Sequence, residues 1–377
     1  MNSPTRTAQP DPAAVMRSII KRIATGPELS KDISLEEARD GMRFILDDQV
    51  DPVQAGIFLI ALRMKRETDD ENLGVLEAIR EATCTVTAPV DEVMDIADPY
   101  DGFNRTLPAS PFLPAVLAAC GVPAVSHGVE RMGPKYGVTH RQVLHAAGMP
   151  VDLNPQQAAA QLGDPDIGWA YVDQKAFCPK LYKLAALRTL IVKRPAITTA
   201  EVLVGPVRGR QKTHLVTGYV HKPYPRIYAL LARQAGFDSA LIVRGVEGGV
   251  IPSLRQAGKA FYYHNRDEEQ SLEFNPMDFS VHRLVRAPQI PGGPAGEAEE
   301  NDEVVTHFDT AVVAKLAAEA GMEALAGKPG PTRDGLICAA ALCLRHFKRH
   351  DSLKGAADAV REVLDSGKAL ERIQRLS

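Results

Sequence analysis

The nine residues Asp98-Pro-Tyr-Asp-Gly-Phe-Asn-Arg-Thr106 place carboxylates, a phenol, an amide, a guanidinium and a hydroxyl around one glycine. Such a set at a strand-to-helix turn suits phosphate. Arg105 supplies charge, Thr106 a hydroxyl, Gly102 close backbone approach, and Ser110 a further hydroxyl near the next helix start. Tyr100, Asp101 and Asn104 complete the candidate set. Asp101-Gly102 also reads as a plain tight turn. Glu247-Gly248-Gly249 follows another apolar run and offers a second place for backbone to approach a ligand, or a second turn. His127, beside Gly128 at the end of a β-branched run, titrates near neutrality and is a candidate acid or base. A lone histidine there also serves structure alone.

Charge is the other local signal. Lys175 to Arg233 holds twelve lysines and arginines and one acid, Glu201, so this stretch carries +11 and the remainder −14 of the net −3. Arg208, Arg210 and Lys212 surround Gly209, and Lys222 and Tyr224 stand in His221-Lys-Pro-Tyr-Pro225 ahead of a helix. Phe177, Tyr182, Tyr219, Tyr224 and Tyr228 interleave with these cations. The pattern reads as an anion-binding belt, with aromatic rings for stacking, or as a solvated face neutralised by acids elsewhere. Any reading with a phosphate-bearing ligand rests on the belt folding onto the same cleft as the Tyr100 turn.

The elements that must position these residues come in two textures. Residues 1–10 read as a disordered tail. Asp11-Pro12, Ser34 with Glu37, Asp51-Pro52 and Thr68 with Glu71 are start signals for four short helices, a domain over 11–85 joined by helices near 176–192. Its wide apolar faces predict a homodimer through the N-terminal helices. From 86 to 377 short β-branched runs alternate with helical stretches. Val122–Val125, Val202–Val204, His214–Val220 and Ala240–Val243 read as strands. Leu113–Cys120, His140–Ala147, Pro155–Leu162 and Pro225–Ala235 read as helices, as do Phe308–Leu325, Gly335–Phe347 and Leu353–Leu364. The fold class is α/β: a small helical domain plus a larger domain with a mostly parallel sheet. Arg286 to Glu303 reads as an exposed loop. Five scattered cysteines exclude a disulfide framework and a cysteine zinc site, and the absence of a long apolar run excludes a membrane span, so the expected location is cytoplasmic.

Ala55-Gly-Ile-Phe-Leu-Ile-Ala-Leu-Arg-Met-Lys-Arg-Glu-Thr68, Gly121-Val-Pro-Ala-Val-Ser-His-Gly128, Lys135-Tyr136-Gly137, Pro331-Thr-Arg-Asp-Gly335 and Asp365-Ser-Gly367 occur in this order. Together they resemble the anthranilate phosphoribosyltransferase and pyrimidine nucleoside phosphorylase family, over residues 12–377. The resemblance implies that fold, and phosphoribosyl or glycosyl transfer. It makes His127, Lys135 and Arg188 candidate catalytic residues, Arg188 standing where the family places an arginine against its aromatic acid. It also shows departures. The place of the family's Gly-Thr-Gly-Gly-Asp donor loop is taken by Asp98–Thr106, where one glycine, Gly102, survives and Pro99 removes an amide donor. Ser126 replaces a lysine, and Val129-Glu130 replaces Asn-Arg. Within Arg244-Gly-Val-Glu-Gly-Gly-Val-Ile-Pro-Ser253, Val250 and Ile251 stand where the family's magnesium carboxylates fall. Magnesium at that site is not expected, no other cofactor or metal is implied, and anthranilate transfer by the family's usual route is not expected.

Three functions remain open from sequence. One is a transferase with altered donor or acceptor, binding a phosphorylated small molecule. Another is a non-catalytic dimer binding single- or double-stranded nucleic acid, as some paralogues in the family do. The third is a homologue with no ligand of its own.

Overall fold

The computed structural model describes residues 11–26, 28–291 and 309–376, which leaves the 1–10 tail and most of the predicted 286–303 loop outside the described residues. The chain forms two compact units. The first ends at Ala82 and takes in Lys180–Glu201; the second comprises Thr83–Pro179 and the chain from Val202 onward.

In the first unit, helices Pro12–Ile23, Leu35–Leu46, Pro52–Lys65 and Asp69–Glu81 begin at the residues whose side chains cap them: Asp11, Ser34, Asp51 and Thr68. Ser34–Glu37 and Thr68–Glu71 are complete capping boxes. Glu71 is fully buried and also receives the Ile33 amide at 3.0 Å and the Lys65 ammonium at 2.8 Å. A Cβ on Gly74 would lie 2.3 Å from the Leu35 carbonyl, so the second and fourth helices meet backbone to backbone. Val53, Ile57 and Met64 leave an apolar stripe exposed along one side of the third helix, and Leu190 and Val192 are exposed in the returning segment.

The second unit is built on a seven-stranded sheet. Its strands are β2 (Glu92–Ala97), β3 (Ala124–Gly128), β4 (Trp169–Asp173), β6 (Lys212–Gly218), β7 (Ser239–Val243), β8 (Gly258–His264) and β9 (Gln270–Phe274); β1 (Val86–Thr87) and β5 (Val207–Arg208) pair separately. The order is β4-β3-β2-β6-β7-β8-β9, parallel from β4 to β7 and antiparallel beyond. The parallel strands are buried nearly throughout, polar residues such as Asp95, His127 and His214 included, because helices such as Leu113–Ala119 and Pro331–His346 cover them. All five parallel strands finish at one edge: Ala97, Gly128, Asp173, Gly218 and Val243.

One sequence expectation changes. Val202–Val204 is not a strand: Val202 and Leu203 belong to a 3-10 turn, Glu201–Leu203, and Val204 follows it into Gly205-Pro206. A short apolar run does not distinguish strand from buried turn by periodicity. Strands β4, β8 and β9 were not among the predicted strands, and β2 was implied only as the strand ahead of the Asp98–Thr106 turn.

Candidate functional site

The finishing edge of the parallel strands collects most of the candidate chemistry. From β2 the chain turns through Asp98–Thr106, where Gly102 has φ +75° and a Cβ would meet the Gly137 carbonyl at 2.6 Å. Paired bonds fix the turn against the segment after β3: Phe103 N–H to the Val138 carbonyl at 3.0 Å, Val138 N–H back to the Phe103 carbonyl at 2.7 Å, and Gly137 N–H to the Asp101 carbonyl at 2.8 Å. The tight turn predicted at Asp101-Gly102 is therefore present, and it positions Asn104, Arg105 and Thr106.

Those three residues face Glu247, about 140 positions later in the chain. Its Oε2 accepts the Asn104 amide at 3.0 Å, and its Oε1 accepts the Arg105 amide at 3.1 Å and the Thr106 hydroxyl at 2.8 Å. Lys135 stands 3.7 Å from the same carboxylate and donates to the Gly102 carbonyl at 2.8 Å. Two backbone N–H groups, a hydroxyl and an ammonium thus converge on one oxyanion position. Glu247 was a candidate ligand contact; its carboxylate instead turns inward onto the Asn104–Thr106 turn. Gly248 and Gly249 press on Gly218, where a Cβ would lie 2.2 Å from both of their carbonyl oxygens. Arg105 reaches outward, exposed.

Behind the turn lie two buried polar groups. His127 Nε2 is 2.8 Å from Asp95 Oδ1, and Tyr100 Oη is 2.5 Å from His127 Nδ1. A carboxylate only accepts, so Nε2 carries the proton and Nδ1 accepts from the phenol. The result is a chain of Tyr100, His127 and Asp95, each nearly excluded from solvent. Asp98 accepts from the Ser110 hydroxyl and, at 2.8 Å, from His140 Nε2, and its other oxygen accepts the Val250 amide at 2.8 Å. Ser110 is thereby spent inside the fold. Beside Gly128, buried Tyr171 donates to Asp173 at 3.3 Å; burial is the leading cause that raises both groups above their ordinary values.

Asp95 and His140 escaped the sequence reading, and Asp98 was quoted in the turn but not counted among its candidate residues. Asp95 had a usable signal, as the one acid inside the apolar run Val93–Ala97. Asp98 and His140, 42 positions apart, had none.

The cationic belt does not gather at this edge. Arg210 and Lys212 lie where β6 starts: the Arg210 amide bonds the Val90 carbonyl, and Lys212 pairs in register with Glu92. The seven residues of β6 separate that end from Gly218 by roughly 20 Å. Arg208 gives its guanidinium to the carbonyls of Gly205, Val204 and Ala235 and lies over Phe237, so it braces the fold. Arg233 pairs with Glu269 at 2.9 Å. Arg188 belongs to the helical unit, where it forms a two-bond ion pair with Glu201, both at 2.7 Å. Its charge is neutralised there, contrary to the expectation of a ligand contact. Lys222 is exposed just beyond the finishing end of β6, and Tyr224 is half-buried against Tyr228, ring centroids 5.8 Å apart. One linear cluster of charge has become several separate groups because strand and helix reverse direction between them, so the belt as a whole supports neither ligand reading, and a phosphate site at this edge has to rest on the Asn104–Thr106 turn and Lys135.

Val250 and Ile251 are buried apolar side chains. With Asp98 already saturated by three donors, the residues here do not fit magnesium. Among the described residues no group of three His, Cys, Asp or Glu side chains could hold a metal, and no helix is long and apolar enough to cross a membrane.

Comparison with known proteins places this geometry in context. Residues 17–83 match the model described as "Glycosyl transferase family, helical bundle domain", and residues 101–370 that described as "Glycosyl transferase family, a/b domain". An uncharacterised protein of Aquifex aeolicus is 32% identical over 241 residues, 63% of this chain and 71% of that one. Anthranilate phosphoribosyltransferase of Rhodopseudomonas palustris is 27% identical over 361 residues, 96% of each chain. Among solved structures, the Saccharomyces cerevisiae anthranilate phosphoribosyltransferase in complex with PRPP and Mg has a TM-score of 0.74 at 18% identity, covering 96% of this chain and 97% of its own. The Thermus thermophilus enzyme scores 0.71 at 18% identity, over 96% and 98%. These likenesses extend to both units.

Proposed function

Because the chain belongs to the glycosyl transferase family whose helical-bundle and α/β domain models it matches, we propose that it binds a phosphate-bearing small molecule at the finishing edge of its sheet. On this reading it is a phosphoribosyl or glycosyl transferase with an altered donor or acceptor. The observation that carries the reading is the convergence of the Asn104 and Arg105 amides, the Thr106 hydroxyl and Lys135 on one oxyanion position. Preorganised donors of this kind hold phosphate oxygens at little reorganisation cost. Lys135 balances charge, and the Asp95–His127–Tyr100 chain holds one proton between phenol and imidazole, a reserve for acid or base work. No step is routed through magnesium. The Saccharomyces cerevisiae anthranilate phosphoribosyltransferase was solved in complex with PRPP and Mg; this chain is expected to bind a phosphoribosyl compound without the metal. In a thermal-shift titration with phosphoribosyl pyrophosphate, the expected result is a saturable rise in Tm that persists in excess EDTA. A rise only with magnesium, or none, rejects the reading.

One observation favours a second reading, a nucleic-acid-binding dimer. At the starting edge of the sheet, His264 is lowered first by burial and then by the fields of Lys348, Arg345 and Lys212, with Asp267 opposing them. Several cations therefore act together there, away from the Glu247 turn. If about six phosphates are contacted, affinity for a duplex or a single strand should fall about 10³-fold between roughly 50 and 200 mM salt. A flat salt response rejects it.

Either reading is served by a homodimer through the N-terminal helices, for which the exposed Val53, Ile57 and Met64 stripe is the motive. Light scattering on Val53→Glu/Met64→Glu should report a monomer where the unaltered chain is a dimer. An unchanged mass would assign the stripe another role.

A further inference from the structure

We propose that Glu247 is a built-in competitor: its carboxylate fills the oxyanion seat of the Asn104–Thr106 turn, and an external oxyanion enters only when this side chain swings out. The proposal deepens the phosphate-binding reading above and rests on it.

The seat is made for an acceptor-only, negatively charged group. Both carboxylate oxygens of Glu247 are engaged, one by Asn104 and the other by Arg105 and Thr106, and Lys135 supplies the counter-charge. A phosphate oxygen makes the same demands of the same donors. The Glu247 side chain is only 7% exposed, so this is no passing surface contact. Sterically, the backbone that carries it is pinned. A Cβ on Gly245 would lie 1.6 Å from the Gly249 carbonyl oxygen, and one on Gly218 would strike Gly248 and Gly249.

Glu247 itself is the strained member. It holds φ +53° and ψ 20°, a left-handed conformation that disfavours any residue with a Cβ. Gly248 follows at φ +83°, and Gly249 follows that. With the flanking backbone held in place, the Glu247 carboxylate leaves the seat by rotation about its own side-chain bonds, and the strained backbone at its Cα marks a position that is kept despite its cost. Arg105, exposed on the same turn, has no side-chain hydrogen bond among the described residues, and it is placed to follow an incoming anion. The ligand class is therefore an oxyanion, a phosphate ester or pyrophosphate, that displaces a carboxylate. Apparent affinity is reduced by the fraction of molecules in which the seat is open.

The test is calorimetric titration of the full chain with inorganic pyrophosphate, comparing the unaltered protein with Glu247→Ala, Glu247→Gln and Glu247→Ala/Thr106→Val. The Ala variant should bind about tenfold tighter or better, and the added Thr106→Val should cancel much of that gain. Should Glu247→Ala fail to fold, Glu247→Gln carries the test. Its amide N–H₂ faces donors, so the plug closes poorly and the same gain is expected. Equal binding by the unaltered chain and every folded variant overturns the competitor while leaving the phosphate reading in place. No binding by any of them overturns both.

Discussion

Arg188→Met is expected to cost the helical unit about 3–5 kcal/mol, because it leaves the buried Glu201 carboxylate without its cation. Both side chains are almost fully buried, and the two bonds between them are 2.7 Å each. Such a pair contributes little net stability against an apolar substitute, since desolvation offsets most of the attraction. Breaking one side is different: the remaining charge has nowhere to go. The double variant Arg188→Met/Glu201→Leu should therefore recover most of the loss. Denaturant unfolding of the four proteins in the cycle measures this, and additive losses would show that the pair is uncoupled. This prediction also separates a structural arginine from a ligand-binding one, which the resemblance alone had suggested.

The second large effect concerns pH. Burial pushes His214 down to about 4, with Lys212 and His264 pushing the same way and Asp238 opposing them. His214 Nδ1 is 2.7 Å from the Ser239 hydroxyl, which is 2.8 Å from His346 Nε2. His346 is fully enclosed and stacked on His264, centroids 4.5 Å apart, and it too is lowered, chiefly by burial. In the folded chain His214 stays neutral below its ordinary value of 6.5, whereas the unfolded chain takes up the proton there. Between pH 6.5 and about 4 the unfolded state thus binds more protons, and stability falls as pH falls. For His214 alone the loss is about 3 kcal/mol across the window, at about 1.4 kcal/mol per pH unit. His264 and His346 add to it in the same direction. Replacing His214 with Gln removes the titration and keeps a polar partner for Ser239. The slope of Tm against pH between about 6.5 and 4 should then be shallower. An unchanged slope would place the acid sensitivity elsewhere.

How far these features could be read in the sequence depended on how local their causes are. Capping is local, so Asp11, Ser34–Glu37, Asp51 and Thr68–Glu71 announced the first four helices within a residue or so. The α/β alternation and the family motifs announced the sheet. A turn at Asp101-Gly102 was likewise visible, because glycine beside a carboxylate has a short-range meaning.

The belt was not legible, since a count of charges along the chain says nothing about which strand edge each one reaches. Arg208 and Lys222 are 14 positions apart and sit at opposite ends of β6. Arg188 drew attention through the family resemblance, whereas its partner Glu201, the only acid between Lys175 and Arg233, was noted only as a count. The chemistry of Glu247 was hidden for another reason: its partners are Asn104, Arg105 and Thr106, and only the parallel sheet brings the loops after β2 and β7 to the same edge. Sequence pointed to each loop as a ligand contact; the fold joins them to each other.

The most direct measurement of the central claim is a crystal of the full chain soaked with ribose 5-phosphate in the presence of EDTA. The account predicts phosphate within hydrogen-bond reach of the Asn104 and Arg105 amides and the Thr106 hydroxyl, with Glu247 displaced from them. Phosphate lying instead against Lys212, Arg345 and Lys348, with Glu247 still bonded to the turn, would contradict it.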